Sequence, residues 1–139
     1  MAADTSMDVA ELWPRPRRWP ADVERPTEPQ TYQGIVEAAR LGGWRVMHQR
    51  PARTMHGYRT ALQGDAGFPD FVFVNARQRR MLFTEIKATR GKGLDPAQAA
   101  WGEAIIAAGV PYEVIWVPEQ LAEFRQRLVD LGTAPRGIA

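Results

Sequence analysis

The sequence predicts a mixed α/β fold, a central sheet flanked by helices in the order α-β-β-β-α-β-α. Three observations predict it. The runs "DFVFV" (70–74) and "MLFTEIK" (81–87) are short, β-rich and apolar on both faces, as strands covered on both sides are. Two stretches, "TEPQTYQGIVEAARLGG" and "DPAQAAWGEAIIAAG", each open on a helix-capping residue with Pro close behind and then carry apolar residues at helical spacing. A further β-rich run, "YEVIWV", follows the second of them. A chain of 139 residues fits one domain and can bury a core without disulfides or a structural metal.

In chain order, residues 1–26 read as a Pro/Arg-rich extended arm, because each Pro removes a backbone donor and biases its predecessor away from helix. Trp13 and Trp19 flank Arg15, Arg17 and Arg18 there, a composition that suits nucleic acid, a partner subunit, or a tail wrapped on its own domain. The folded domain is expected over 27–132, with a tail at 133–139. Thr27 is the N-cap of the first helix, Glu28 and Pro29 lie in its first turn, and Gln30 stands at the capping-box position. Tyr32, Ile35, Val36 and Ala39 make its apolar face, and Gly42 and Gly43 end it. "WRVMH" is the first strand. Residues 49–67 are long, polar and Arg-rich, the features of a functional or mobile loop. "NARQRR" is a polar turn between the next two strands. Asp95 caps the second helix, with Pro96 at its first position and Trp101, Ile105 and Ala108 on one stripe. "PEQLAEFRQRLVDLG" is the last helix, with Leu121, Phe124, Leu128 and Leu131 on one face.

Composition excludes several function classes. Without cysteine there is no disulfide framework and no thiolate zinc site, and His48 and His56 are too few for a usual zinc cluster. No apolar run approaches the roughly 20 residues of a membrane span. The N-terminus lacks the apolar centre of a signal peptide, so a cytoplasmic protein is the simplest expectation. The net charge is only +2, yet between Arg40 and Lys92 eleven Arg and Lys face three acids, Asp65, Asp70 and Glu85. Sixteen of the eighteen basic residues are Arg, the side chain suited to bidentate phosphate contacts; GC-rich coding would give the same bias.

The chemistry-bearing residues lie in the hairpin. If its turn is centred between Arg77 and Gln78, paired residue numbers sum to 155 and Asp70 lies opposite Glu85. Opposed residues share a face with Cβ atoms about 4.5–5.5 Å apart. Lys87, two residues on, shares that face, and Ile86 points the other way into the core. Two opposed carboxylates repel unless one is protonated or a divalent cation sits between them. Mg²⁺ takes carboxylate oxygens, polarises a phosphate and lowers the pKa of a water, and a nearby lysine can orient that water or neutralise developing charge. These are the parts of a phosphodiester hydrolase. Taken singly, an Asp after Pro is a common turn residue and Glu-x-Lys a common surface pair; both in phase across one apolar hairpin point to a site.

"GFPD", "EIK" and the Gln-bearing helix "DPAQAAW" occur in the register of the PD-(D/E)xK nuclease signature. The sequence over 27–131 most resembles the VRR-NUC branch of that superfamily, which groups with Holliday-junction-resolvase-like nucleases. The resemblance implies a restriction-endonuclease-like αβββαβ core and a metal-dependent DNA endonuclease that leaves 5′-phosphate and 3′-hydroxyl ends. It implies that Asp70 and Glu85 bind Mg²⁺ (with Mn²⁺ able to substitute), that the backbone carbonyl of Ile86 completes the shell, and that Lys87 acts on the attacking water or the scissile phosphate. Glu28 matches an acid that faces the site and holds metal through water or a second ion; a first-turn carboxylate is also favoured by the helix dipole alone. Gln98 matches a glutamine that points to the lysine, and equally completes a capping box with Asp95. Lys92 and Arg90 beside the site, and Arg50, Arg53, His56 and Arg59 in the loop before Asp70, are the expected DNA contacts. His48 is expected to be structural. Arg77, Arg79 and Arg80, at the far turn, either touch distant phosphates or only solubilise it.

Small stand-alone proteins of this type resemble resolvases, which implies a homodimer acting on branched or junction DNA. The lack of helicase or recognition modules looks like a phage or prophage protein. The same site serves nicked, flap, single-stranded or plain duplex DNA. A non-catalytic DNA-binding accessory of the same fold is the competing reading from another class, and a toxin-like RNase ranks last because stacking motifs for single-stranded RNA are absent.

Overall fold

The computed structural model describes residues 8–17, 26–49, 52–54, 57–59 and 63–135, with the backbone alone for 52–54 and 57–59. Among the described residues, four helices and six strands follow in the order α1 (Val9–Leu12), α2 (Glu28–Leu41), β1 (Arg45–His48), β2 (Ala52–Thr54), β3 (Gly57–Arg59), β4 (Phe71–Asn75), β5 (Arg80–Ala88), α3 (Pro96–Ala107), β6 (Tyr112–Val117) and α4 (Leu121–Thr133). A four-stranded sheet has the order β1-β4-β5-β6. β1, β4 and β5 are antiparallel neighbours, and β6 joins β5 in parallel after the α3 crossover. The fold is the mixed α/β arrangement that the sequence predicts.

The helix ends form where their capping chemistry places them. Thr27 accepts from the Gln30 N–H, and the Gln30 side chain returns to the Thr27 N–H. Asp95 and Gln98 repeat that box at the head of α3. Gly43 takes φ +75 just past α2.

Period-two alternation divides the hairpin between two cores. Phe71, Phe73, Leu82 and Ile86 point to the side covered by α2 and α4, where they meet Ile35, Ala39, Phe124 and Leu128. Phe71 and Phe73 stack with ring centroids 5.4 Å apart. His48 stacks on Phe71, consistent with a structural role. The other side carries Tyr112, Val114 and Trp116 against Ile105 and Trp101 of α3. Phe124 and Leu128, the centre of the α4 stripe, are buried in the first core.

Two segments differ from their sequence-based expectation. The stretch 49–67, read as a loop, contains the short antiparallel pair β2–β3. Its strands are three residues each, too short for an alternation to show among so many arginines. The leading segment, read as an extended arm, carries the turn of helix α1, capped by Asp8. Val9 is buried in the second core, and Trp13 packs edge-on against Tyr112. One turn, with Val9, Leu12 and Trp13 ahead of a Pro-rich run, is too short for helical spacing to stand out. Among the described residues no helix is long and apolar enough to cross a membrane.

Candidate active site

The hairpin register is the one that a turn centred between Arg77 and Gln78 requires: Phe71 pairs with Thr84 and Asn75 with Arg80. Asp70, one step before β4, therefore faces Glu85. The Ile86 N–H donates a 2.8 Å hydrogen bond to Asp70 Oδ2, which ties the carboxylate to β5 just beyond the last ladder pair.

Gly67 sets the approach to Asp70. It has φ +98, open to glycine, and a Cβ there would lie 2.5 Å from the Ala97 carbonyl. The "GFPD" segment thus lies against the first turn of α3. Phe68 packs on Phe83 and Trp101, and the Trp101 indole N–H donates to the Asp65 carbonyl.

Glu85 is 2% exposed. Gln98 Nε2 donates to its Oε1 at 3.1 Å, and Lys87 Nζ lies 3.8 Å from the same oxygen. Gln98 therefore serves the capping box and the site together, and its hydrogen bond goes to Glu85 rather than to Lys87. Burial, then the Asp70 carboxylate beside it, pushes the Glu85 pKa up to about 9. Burial also raises Asp70, opposed by the Ile86 N–H and the Lys87 ammonium. One ammonium faces two carboxylates in a poorly solvated place, so protons or a cation must supply the remaining charge.

Other candidates stand farther out. Glu28 is exposed in the first turn of α2, a helix that covers the opposite side of the sheet; its charge is felt at Asp70. Among the described residues no three acidic or histidine side chains form a metal cage. Arg90 and Glu28 line a cavity of about 200 Å³ floored by Ile86, Ala88 and Val117. Lys92 is exposed in the turn after β5. Arg50 and His56 lie outside the described residues, as do the side chains of Arg53 and Arg59.

Near the site, Tyr112 escaped the sequence reading, and Arg15 was named there only as part of an arm of three possible uses. The Tyr112 hydroxyl is buried without a hydrogen-bond partner among the described residues, close enough to Glu85 and Asp70 that their charges add to burial in raising its pKa. Arg15 Nη1 donates to the carbonyls of Thr89 (3.1 Å) and Gly91 (2.9 Å), and its guanidinium lies 4.9 Å from the Trp116 ring centroid. The local sequence does not show the partners of either, because each acquires them only through the fold.

The model of the VRR-NUC domain matches residues 28–119. The chain belongs to the VRR-NUC family. It therefore carries a nuclease domain of the restriction-endonuclease-like superfamily. The VRR-NUC match runs from Glu28 to Glu119 and contains Asp70, Glu85, Lys87 and Gln98; Trp13 and Arg15 lie outside it. No curated protein and no solved structure matches the chain.

Proposed function

We propose that the protein is a divalent-metal-dependent endonuclease that hydrolyses phosphodiester bonds in DNA, selective for branched or junction structures. The observation that carries this reading is the opposition of Asp70 and Glu85 beside Lys87, with burial raising both carboxyl pKa values and the Asp70 charge adding to the rise at Glu85.

The donor set fits Mg²⁺, with Mn²⁺ as a substitute. Mg²⁺ is usually held by one or two carboxylates together with waters and substrate phosphates, not by an all-protein cage. A pair of carboxylates with no third acid clustered on them among the described residues is that kind of site. Asp70 and Glu85 would hold the ion. The Ile86 N–H faces Asp70, and a strand residue's N–H and C=O point to the same side, so its carbonyl is the natural third donor. Glu28 would reach the ion through water. A bound divalent ion supplies a Lewis acid for the phosphate and an acidified water.

The chain's own groups do the rest. Gln98 fixes the Glu85 carboxylate. Lys87, whose side chain is 19% exposed, meets the phosphate from the solvent side and neutralises charge that develops on it. A water oxygen bonds to phosphorus, the bond to the 3′ oxygen breaks, and that oxygen takes a proton, leaving 5′-phosphate and 3′-hydroxyl ends. Lys92 and Arg90 hold flanking phosphates, with Arg50, Arg53 and Arg59 from the preceding segment. A homodimer would bring two such sites to two strands; the α4 stripe is core, so the second copy must use another surface.

The test incubates end-labelled four-way junction, flap, nicked duplex, plain duplex and single strand with wild type or Asp70→Asn, in Mg²⁺, Mn²⁺ or EDTA. Cutting by wild type only with metal, absent in the variant and fastest on the junction, is expected. DNA binding without cutting under every condition would overturn the reading in favour of an accessory protein.

A further inference from the structure

The sheet has a second charged end. Arg45 opens β1, Arg80 opens β5, and Arg77 and Arg79 occupy the turn before it. Arg45 pairs with Val74 and Arg80 with Asn75, adjacent residues of β4, so the two arginines flank the same strand end. Arg40, in the last turn of α2, lines a shallow groove with Arg45 and Gly43. The Asn75 amide donates to the Gly42 carbonyl at 3.0 Å and thereby ties the α2–β1 turn to the β4–β5 turn. Arg40, Arg45, Arg77 and Arg79 are exposed and Arg80 half-buried. The nearby acids, Glu37 and Asp130, hydrogen-bond Gln33 and Gln126 on their own helices. None of the five arginines has a carboxylate within 4.0 Å among the described residues, where the ion pairs are Lys87 with Glu85 and Arg127 with Glu113.

Arg79 adds an independent observation. Its φ is +54, a left-handed conformation that a β-carbon disfavours and that Gly or Asn adopts readily. The turn is otherwise well made. Asn75 Oδ1 accepts from the Gln78 N–H, and the Gln78 side chain reaches the carbonyls of Gly132 and Ala134 at the end of α4. Local stability alone would put Gly or Asn at position 79. An arginine there keeps a charge at a conformational cost, beside four others that also lack carboxylate partners among the described residues.

We propose that Arg40, Arg45, Arg77, Arg79 and Arg80 form a second phosphate-binding surface for duplex DNA, at the end of the sheet opposite the pair of Asp70 and Glu85. The proposal rests on the nuclease reading for the identity of the polyanion. Five residue steps of β5 separate Arg80 from Glu85, about 17 Å at roughly 3.3 Å per residue. That distance corresponds to about five base pairs at 3.4 Å each. The surface would therefore hold the flank of a substrate whose scissile phosphate lies at Lys87, adding affinity without entering the chemistry.

The test measures binding of labelled duplex in EDTA over about 0.05 to 0.2 M salt. It compares wild type, Arg79→Gly, and the triple variant Arg77→Gln, Arg79→Gly, Arg80→Gln. Arg79→Gly is expected to melt no lower than wild type, because glycine relieves the positive φ, and yet to bind more weakly. The triple variant is expected to flatten the slope of log affinity against log salt by about 2 to 3. Its metal-dependent kcat at saturating DNA should equal that of wild type. On substrates ending fewer than about five base pairs from the scissile bond, the advantage of wild type should vanish. Unchanged affinity and salt slope in the triple variant overturn the second surface while leaving the nuclease reading intact. Wild type that binds with the expected slope but never cuts overturns the nuclease reading alone. Wild type with no affinity for duplex overturns the proposed surface.

Discussion

Gln98 Nε2 donates to Glu85 Oε1 at 3.1 Å while Gln98 Oε1 accepts from the Asp95 N–H at 3.0 Å. One side chain thus closes the head of α3 and fixes a candidate metal ligand. The two roles separate by substitution. Gln98→Ala loses both and should cost about 1 kcal/mol of stability, the usual worth of a cap interaction, together with cleavage activity. Gln98→Glu keeps a capping-box acceptor but removes the donor to Glu85 and adds a third negative charge. It should melt close to wild type and still cut poorly. Equal activity of Gln98→Glu and wild type would reduce Gln98 to its helix-capping role.

The raised pKa of Glu85 makes a prediction for the metal-free protein. Its ordinary value is 4.5 and its folded value about 9, so the folded state binds the proton more tightly than the unfolded state. The contribution to stability is fully present below about pH 4.5 and is lost as pH rises toward about 9. One proton corresponds to a slope of about 1.4 kcal/mol per pH unit inside that window. Denaturation in EDTA at several pH values should show declining stability from mildly acidic to alkaline pH, and Glu85→Gln should flatten the decline. Metal loading must expel the same proton, so the apparent metal affinity should rise with pH. A stability profile that rises with pH and is indifferent to Glu85→Gln would sink this assignment.

Gly67 is the point where the chain's approach to Asp70 is most constrained. Its φ of +98 and the 2.5 Å approach to the Ala97 carbonyl act together. Gly67→Ala should destabilise by about 2 kcal/mol or more, since a strained backbone alone costs about 1–3 kcal/mol and the neighbour is rigid backbone. Thermal melting measures the first effect. Loss of cleavage by the fraction still folded measures the shift of Asp70. By contrast Gly64, at φ +110 with open space where a Cβ would stand, should incur only the backbone-strain part of that cost on substitution, about 1–3 kcal/mol, with no clash to add.

The central part of this architecture was legible because its signals are local or periodic. Thr27 and Asp95 announce their helices by capping chemistry, and the alternation around Phe71, Phe73 and Ile86 sets the register that places Asp70 against Glu85. Gln98 was legible in kind but not in partner, since the helix position does not say which oxygen its amide meets. Glu28 was legible in kind: its charge is felt at Asp70 from the exposed first turn of α2, though sequence order does not reveal which side of the sheet that helix covers. Tyr112 was missed, and Arg15 was named without its partners, for a related reason. Tyr112 comes under the site only through parallel pairing of β6 with β5. Arg15 is 74 residues from Thr89, and its Pro-rich surroundings resemble a solvated arm.

Arg15 therefore supports the last prediction. Its guanidinium holds two carbonyls of the turn that follows Lys87, and the Trp116 indole N–H in turn holds the Trp13 carbonyl at 2.9 Å. The leading segment and the turn brace one another around Trp116. Arg15→Ala removes two charge-assisted hydrogen bonds and a cation–π contact, about 1–3 kcal/mol in a half-exposed setting. Amide hydrogen exchange should accelerate at residues 89–93 while the rest of β5 keeps its protection. Cleavage should slow through a lower kcat with metal affinity unchanged, because Asp70 and Glu85 are untouched and only the chain just beyond Lys87 is loosened. Arg15→Lys should rescue in part, since one guanidinium nitrogen binds both carbonyls and an ammonium can take its place, while the planar contact with the Trp116 face is lost. If Arg15→Ala leaves exchange at 89–93 unchanged, the brace has no role in ordering the turn, and Arg15 is only a surface contact.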